Sequence, residues 1–430
     1  MTGRRPLLPA LVALAVLAAL AAIVLALNLR DEETDGAVQP AAVASAELIE
    51  RGAYLARAGN CAACHTARGG APYAGGHGIE TPFGTVFASN LTPDERTGLG
   101  SWTAADFWRA LHNGRSKDGR LLYPAFPYPN YTQVSRADSD AIFAYLRSLA
   151  PVERPNEPHA LRFPYRHQAV LAVWRALFFE PGQYQPDAAR SAEWNRGAYL
   201  TRGLGHCAAC HSARNAFGAT SGRLELDGGL IPMQNWYAPS LGSSREAGVA
   251  DWPLEHIVQL LGTGVSPRGS ALGPMAEVVY GSTQHLSEAD LHAIAVFLQA
   301  LPPAPAQAAA PTAQPATPRT LERGARIYEA SCAGCHGDAG QGGQTVYPAL
   351  AGNRAVVMDP PANVIRVILS GGFAPSTRGN PRPYGMPPFA AVLDDADVAA
   401  VASFIRSAWG NRAAGVSAHE VDRYRSGRAD

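Results

Sequence analysis

Hydrophobic side chains are distributed along this chain in two distinct ways. From Leu7 to Leu29 they run without a charged residue, flanked by Arg4 and Arg5 before and by Asp31, Glu32 and Glu33 after. As a helix rising 1.5 Å per residue this run is about 34 Å long, enough for a hydrocarbon core of about 30 Å. Beyond it the apolar positions recur with helical period in a threefold pattern. Three opening segments agree: RGAYLARAGN from Arg51, RGAYLTRGLGH from Arg196 and RGARIYEAS from Arg323. Three closing segments agree as well: SRADSDAIFAYLRSL from Ser135, SEADLHAIAVFLQAL from Ser287 and DDADVAAVASFIRSA from Asp394. Each reads as an amphipathic helix. Ser135 with Asp138, and Ser287 with Asp290, have the spacing of an N-terminal capping box. Tyr145, Phe297 and Phe404 hold equivalent places, where an aromatic side chain packs on the small residue of the opening helix as ordinary core. Between the ends, GSWTAADFWRALHNG and ADWPLEHIVQLLGTG align without a gap from Trp102 to Gly114 and from Trp252 to Gly264, whereas the third copy replaces the tryptophan with Pro-Pro-Ala-Asn before VIRVILSGG. Repeats of about a hundred residues are domain repeats rather than solenoid units. Strand signals are sparse, so the expected fold is mainly α.

This predicts an N-terminal membrane helix over 1–30, repeats over 46–150, 187–301 and 319–412, and a tail over 413–430. Two connectors differ in kind. Residues 302–318, PPAPAQAAAPTAQPATP, lack an apolar period and read as an extended linker of about 50 Å at roughly 3.1 Å per residue, tethering a mobile third repeat. Residues 151–186 contain FPYRHQAVLAVWRALFFEPGQY. Their apolar and aromatic content predicts an ordered connector packed on a domain, a partner or the membrane surface. The basic residues before the apolar run place the N-terminus in the cytoplasm and the body of the chain outside, on the periplasmic side of the inner membrane. The run exceeds the usual apolar region of a cleaved signal peptide, and no small-residue cleavage site follows closely, which favours a retained anchor. Lys+Arg 36 balance Asp+Glu 36, with a pI near 7.2, so no global field draws in nucleic acid.

The six cysteines change the picture most. They form Cys61-Ala-Ala-Cys64-His65, Cys207-Ala-Ala-Cys210-His211 and Cys332-Ala-Gly-Cys335-His336, with none left over. C-x-x-C-H is the attachment signal for c-type haem: two thiols form thioether bonds to the porphyrin and the histidine ligates the iron. A disulfide, a zinc site or a thiol redox pair competes for one C-x-x-C alone. Three copies in a repeated domain favour three covalently bound haem c groups, with His65, His211 and His336 on iron.

A haem iron that only carries electrons keeps its sixth position filled, and thioether sulfur raises its potential. Of the five methionines, Met386 in YGMPPF and Met275 in LGPMAEVV are the candidate ligands. Met233 and Met358 follow their histidines too closely and read as core. The first repeat has no methionine. Phe126, in LYPAFPYPN, stands twelve positions beyond Gly114, while Met275 stands eleven beyond Gly264. Phe126 therefore occupies the methionine slot without a lone pair to give. His112, His77 and, more weakly, Lys117 are the candidate substitutes; a five-coordinate or water-bound iron is the other outcome.

The repeats resemble class I cytochrome c domains. After the N-terminal segment, over roughly 46–425, the chain resembles the three-haem cytochrome c subunit of membrane-bound bacterial dehydrogenases for alcohols, gluconate, sorbitol and aldehydes. The resemblance rests on TPFGTVFASNLTPD, LYPAFPYPNYTQV, SAEWNRGAYL, NWYAPSL, GPMAEVVYGSTQHLSEADLHAIAVFL and SAWGNRAAGVS. It implies electrons accepted from a dehydrogenase catalytic subunit carrying PQQ, flavin or molybdenum cofactor, with a small iron-sulfur or accessory subunit as a further partner. It also implies delivery to ubiquinone or a terminal oxidase, and the axial set His65, His211, Met275, His336 and Met386. LYPAFPY in place of LYPAMPY resembles the versions that accompany molybdenum-containing aldehyde or N-heterocycle dehydrogenases. The rival expectation is a multihaem peroxidase or reductase working at the methionine-free first haem. A haem-based gas sensor ranks last, since no transmitter domain is present.

Overall fold

The computed structural model describes residues 7–29, 44–220, 226–303, 315–343 and 347–425, and these group into two compact units. Residues 1–55 and 64–185 make the first, residues 56–63 and 186–430 the second. Helices predominate and strands are confined to short hairpins, as the sparse strand signals predict.

In the first unit, α1 (Leu7–Asn28) is apolar on all sides and exposed along nearly its whole length. The opening helix α2 (Ala46–Ala58) leads to the cysteine turn α3 (Cys61–His65), a stretch of which residues 56–63 are counted with the second unit. A hairpin of β1 (Gly78–Thr81) and β2 (Gly84–Phe87) follows, in register Ile79 opposite Val86. Helix α4 (Ala104–Asn113) starts at a capping box, in which Thr103 accepts from the Asp106 N–H and Asp106 accepts in return from the Thr103 N–H, and stops at Gly114 in the left-handed region, φ 58°. A Cβ on Gly114 would come within 2.5 Å of the Tyr128 ring. That ring belongs to the short α5 (Tyr128–Tyr131), which precedes the closing helix α6 (Arg136–Ser148). The connector adds β3 (Ala160–Leu161) to the edge of β2 and then forms α7 (Gln168–Phe178), with Leu171 and Arg175 buried. The expected ordered connector is therefore packed on its own unit.

In the second unit, α8 (Ala192–Arg202), the turn α9 (Ala208–His211), the β4 (Gly229–Ile231)–β5 (Trp236–Ala238) hairpin, α10 (Leu254–Thr263), the β6 (Val265–Ser266)–β7 (Gly269–Ser270) hairpin, α11 (Pro274–Gly281) and closing helix α12 (Glu288–Gln299) make the second repeat. The third has α13 (Pro318–Ser331), the turn α14 (Ala333–His336), α15 (Arg354–Val357), α16 (Ala362–Ser370), the β8 (Gly372–Phe373)–β9 (Gly385–Met386) hairpin and closing helix α17 (Asp395–Ser407), then α18 (Ala418–Arg425).

Opening and closing helices cross at glycine in all three repeats. A Cβ on Gly52 would sit 1.9 Å from the Ala141 carbonyl oxygen, on Gly197 1.9 Å from that of Ala293, and on Gly324 2.2 Å from that of Ala400. In each case the next atoms met include the Cβ of Tyr145, Phe297 or Phe404, which places these aromatics where the sequence pattern put them. Beside each crossing an arginine of the opening helix reaches the N-terminal turn of the closing helix: Arg51 Nε to Asp138 at 3.0 Å, Arg196 Nε to Asp290 at 2.7 Å and Arg323 Nε to Asp397 at 2.7 Å. The serines act as N-caps as expected, Ser135 for the Asp138 N–H and Ser287 for the Asp290 N–H, while the aspartates also serve this interhelical clamp.

Most of the linker, residues 304–314, lies outside the described residues. The third repeat is not held by a tether alone. The Tyr237 N–H donates to Asn363 Oδ1 at 2.9 Å and Asn363 Nδ2 donates back to the Tyr237 carbonyl at 2.8 Å, in the manner of paired strands. Arg354 binds the Asp251 carboxylate with both terminal nitrogens, and Thr377 donates to the Thr263 carbonyl at 3.0 Å. Mobility inferred from the linker's composition is thus overridden by docking that composition cannot reveal. Within the third repeat Arg406, 1% exposed, donates to the carbonyls of Val356, Met358 and Ala414 and to Asp359 at 2.6 to 3.1 Å. It knits α17 to the end of α15 and to the tail.

Three variants test these contacts. Gly324→Ala should lower stability by about 1–3 kcal/mol in thermal unfolding, because the new methyl meets backbone. Gly334→Ala, whose Cβ meets nothing within 4 Å, should stay within about 0.5 kcal/mol of the parent. Arg406→Met should cost about 2–4 kcal/mol by leaving buried carbonyls and Asp359 unpaired.

Candidate haem-binding clefts

The cysteine motifs form one short helical turn each. The His211 N–H bonds the Cys207 carbonyl at 2.9 Å and the His336 N–H bonds that of Cys332 at 3.0 Å. Residues i, i+3 and i+4 of a helix share a face, so this turn aims two thiols and one imidazole the same way.

Each imidazole is held from behind. His65 Nδ1 lies 2.7 Å from the Ser89 carbonyl, His211 Nδ1 2.7 Å from that of Pro239 and His336 Nδ1 3.0 Å from that of Pro348. A carbonyl can only accept, so each Nδ1 carries the proton and Nε2 keeps its lone pair free for a metal. Burial lowers the His65 and His211 pKa values, which keeps the rings neutral, as ligation requires. The carbonyls are themselves fixed by buried polar side chains. Asn90, next to Ser89, donates to the Val152 carbonyl at 2.8 Å and to Thr97 at 3.0 Å, and accepts from Thr92. Glu246, its pKa raised by burial, accepts from the Ser240 N–H at 2.8 Å beside Pro239. Asn411 donates to the Leu350 carbonyl at 3.0 Å and accepts from the Gly352 N–H at 2.9 Å, just beyond Pro348. Sequence reading missed these supports; NWYAPSL marked the segment around Pro239 but not what its backbone does.

Burial pushes the Cys207 thiol up to about 12 and the Cys332 thiol up to about 11. A thiol–disulfide redox pair needs the opposite shift. Among the described residues no group of three or more His, Cys, Asp or Glu side chains is placed to hold a metal ion, so the zinc alternative lacks a donor set.

In the second unit a cavity of about 700 Å³ takes in Cys207, Cys210, His211 and Met275, and continues to Cys332, Cys335, His336 and Met386. Its walls include Trp236, Trp252, Ile257, Val278, Ile368 and Phe389. The structure therefore brings both candidate methionines to the cleft that holds their histidines. Met275 enters on the first turn of α11, after Gly273 at φ 55°, where a Cβ would come within 2.6 Å of the Trp236 ring. Met386 is placed by the β8–β9 hairpin, opposite Gly372, and Gly371 at φ 62° passes so close that a Cβ would lie 2.2 Å from the Met386 carbonyl oxygen. Apolar walls with a soft sulfur, an imidazole and two thiols fit a flat apolar macrocycle carrying iron, covalently held at one edge.

The remaining methionines divide. Met358 is fully buried, as expected of core. Met233 is not: it is 49% exposed at φ 63° in the turn between β4 and β5, because the hairpin projects it outward.

In the first unit Phe126 packs on the rings of Tyr131 and Tyr128, at 5.3 and 6.5 Å between centroids. Of the substitute ligands considered, His77 lies close enough to His65 for its charge to depress that imidazole further. His112 is buried on α4, stacked on Trp108 at 4.4 Å, with Nδ1 2.8 Å from the Thr132 carbonyl. The Lys117 ammonium donates to the Ser101 carbonyl on the surface.

The cytochrome c family matches residues 49–150 and 321–409. A nicotinate dehydrogenase subunit of Pseudomonas putida is 43% identical over 368 residues, 84% of this chain, which spans only 30% of that longer protein. The cytochrome c subunit of a quinone alcohol dehydrogenase from Gluconacetobacter polyoxogenes is 38% identical over 398 residues, covering 89% of this chain and 85% of that one. The gluconate 2-dehydrogenase cytochrome c subunit of Pantoea cypripedii is 37% identical, covering 87% and 88%. With turns, clefts and relatives in agreement, the chain belongs to the family of cytochrome c subunits of alcohol, gluconate and fructose dehydrogenases.

Proposed function

We propose that this protein is a three-haem electron relay, anchored in the inner membrane with its body on the periplasmic side. It takes electrons from a dehydrogenase catalytic subunit and passes them to ubiquinone or a terminal oxidase. The observation that carries this reading is the threefold recurrence of one device: a C-x-x-C-H turn whose imidazole Nδ1 is held by a fixed backbone carbonyl. Bound haem supplies a one-electron iron couple, and the chain supplies everything that sets its potential. Cys61 and Cys64, Cys207 and Cys210, and Cys332 and Cys335 are the attachment pairs. His65, His211 and His336 would hold the iron through Nε2, and Met275 and Met386, which line the same cavity as the last two, would supply thioether sulfur there. The carbonyls of Ser89, Pro239 and Pro348 hold each ring in one orientation and tautomer, which limits rearrangement between oxidation states. Apolar walls around the second and third sites exclude water and, with thioether sulfur, favour the reduced iron. Phe126 gives no ligand, so the first site is set to a different potential from the other two.

LYPAFPY, together with identity to a protein named for nicotinate, supports a partner that oxidises an N-heterocycle or an aldehyde, of the molybdenum type, over PQQ and flavin alternatives. No paired carboxylate or nucleophile–base constellation for substrate chemistry stands out in the sequence, and the peroxidase or reductase alternative depends wholly on an open first iron.

Two measurements test the reading. Haem released from the purified full-length protein should amount to three per chain, and carbon monoxide added to the reduced protein should leave the spectrum unchanged if the relay reading holds. Rapid, complete binding at one haem would instead favour small-molecule chemistry at the first site. Met275→Leu and Met386→Leu should each create one carbon monoxide-binding haem and lower one midpoint potential, within the span of about 0.8 V that axial ligation commands.

A further inference from the structure

The connector between the first two repeats carries an outward surface that electron relay does not use. On α7, Val173 and Leu177 stand one turn apart and are 47% and 69% exposed. In the loop before it Phe163 is 75% exposed, and Tyr165, Arg162 and Arg166 are also exposed. Between the exposed Glu157 and Glu180 the segment carries two exposed arginines, Arg162 and Arg166, and no aspartate or glutamate. This surface is held firmly from below. β3 pairs with β2, the Arg162 N–H donates to the Phe83 carbonyl at 3.0 Å, the Tyr123 hydroxyl donates to the Tyr165 carbonyl at 3.0 Å, and Gln168 accepts from the Leu121 N–H at 2.7 Å.

What covers it follows from where α1 ends. Among the described residues α1 is the one helix long and apolar enough to cross a membrane, and it lies bare of protein along its spanning length. Its last residue, Asn28, is 6% exposed and works as a junction. Asn28 Nδ2 donates to the Ala172 carbonyl of α7 at 2.9 Å, Asn28 Oδ1 accepts from Arg175 Nε at 2.9 Å, and the Asn28 carbonyl accepts from Arg115 at 3.1 Å. Arg175 is itself buried, bound to the Asn113 carbonyl at 2.6 Å and lying over the Tyr128 and Phe179 rings. The point where α1 leaves the hydrocarbon is therefore fixed to the middle of α7. A segment pinned there, with aliphatic and aromatic side chains, arginines and no acid, has the composition of an interfacial element on anionic lipid.

We propose that α7 and the Arg162–Arg166 loop form a lipid-facing platform, with Leu177, Val173 and Phe163 in the acyl boundary and Arg162 and Arg166 on anionic headgroups. The platform seats the first repeat directly on the bilayer. The proposal rests on α1 being a retained anchor, and a buried, triply bonded Asn28 is what retention requires and a discarded leader would not supply.

The test uses the full-length, haem-loaded protein in vesicles of phosphatidylethanolamine and phosphatidylglycerol. With its native cysteines taken up as thioethers, Leu177→Cys offers a single thiol for a nitroxide label, and Val173→Cys repeats the reading should the first variant load haem poorly. The label should collide with dissolved oxygen more often than with a water-soluble nickel chelate. Free collision with the nickel chelate overturns the platform. Shielding from both quenchers overturns it too, because a protein then covers α7. Intact mass separates the two ideas: a mature chain without residues 1–29 removes the anchor reading itself, whereas a full-length chain with a water-exposed label removes the platform alone.

Discussion

Everything in the repeated unit depends on two helices crossing at backbone contact. A glycine in the opening helix lets the closing helix approach until a carbonyl lies where a side chain would begin, and the arginine one residue earlier takes the aspartate in the first turn of its partner. The crossing fixes where the opening helix ends, and therefore where the cysteine turn begins. Three copies retain this geometry although the third has lost the tryptophan of its middle segment. Side-chain packing tolerates substitution of similar volume, whereas a contact between backbones has no slack.

From that fixed start the candidate sites differ only in what closes them from the far side. In the second unit, α11 and the β8–β9 hairpin bring sulfur to a shared apolar cavity. In the first unit the equivalent strand of sequence brings an aromatic ring among tyrosines. The imidazole side is conservative in design and the opposite side is variable. On the proposed assignment, such an arrangement would let one protein hold chemically similar cofactors at unequal potentials without altering the way they are attached.

Much of this was legible in the sequence because the signals are local. Helical period gave α2, α6, α8, α12, α13 and α17; gapless alignment of two copies paired Gly114 with Gly264, though not their left-handed conformation; and Met275 and Met386 were separated from Met358 by spacing alone. What stayed hidden depends on contacts far apart in the chain. Spacing treated Met233 and Met358 alike, yet one sits in a hairpin turn and the other in the core. A linker rich in proline and alanine says nothing about the Tyr237–Asn363 pairing that docks the third repeat. The carbonyls behind the imidazoles left no mark either, since any residue has a carbonyl and only folding decides which one faces Nδ1.

The junction at Asn28 carries a consequence for how such proteins diversify. An apolar helix usually behaves as an interchangeable part, replaceable by any other of similar length and hydropathy. Here its final residue is shared property: its amide, side-chain oxygen and carbonyl each complete a bond to the folded body, and Arg175 is buried. A borrowed anchor without an asparagine at that position would leave a buried guanidinium short of a partner. The apolar helix and the first repeat are therefore coupled through one residue, so that a change at position 28 is felt at Arg175 and at the Ala172 carbonyl.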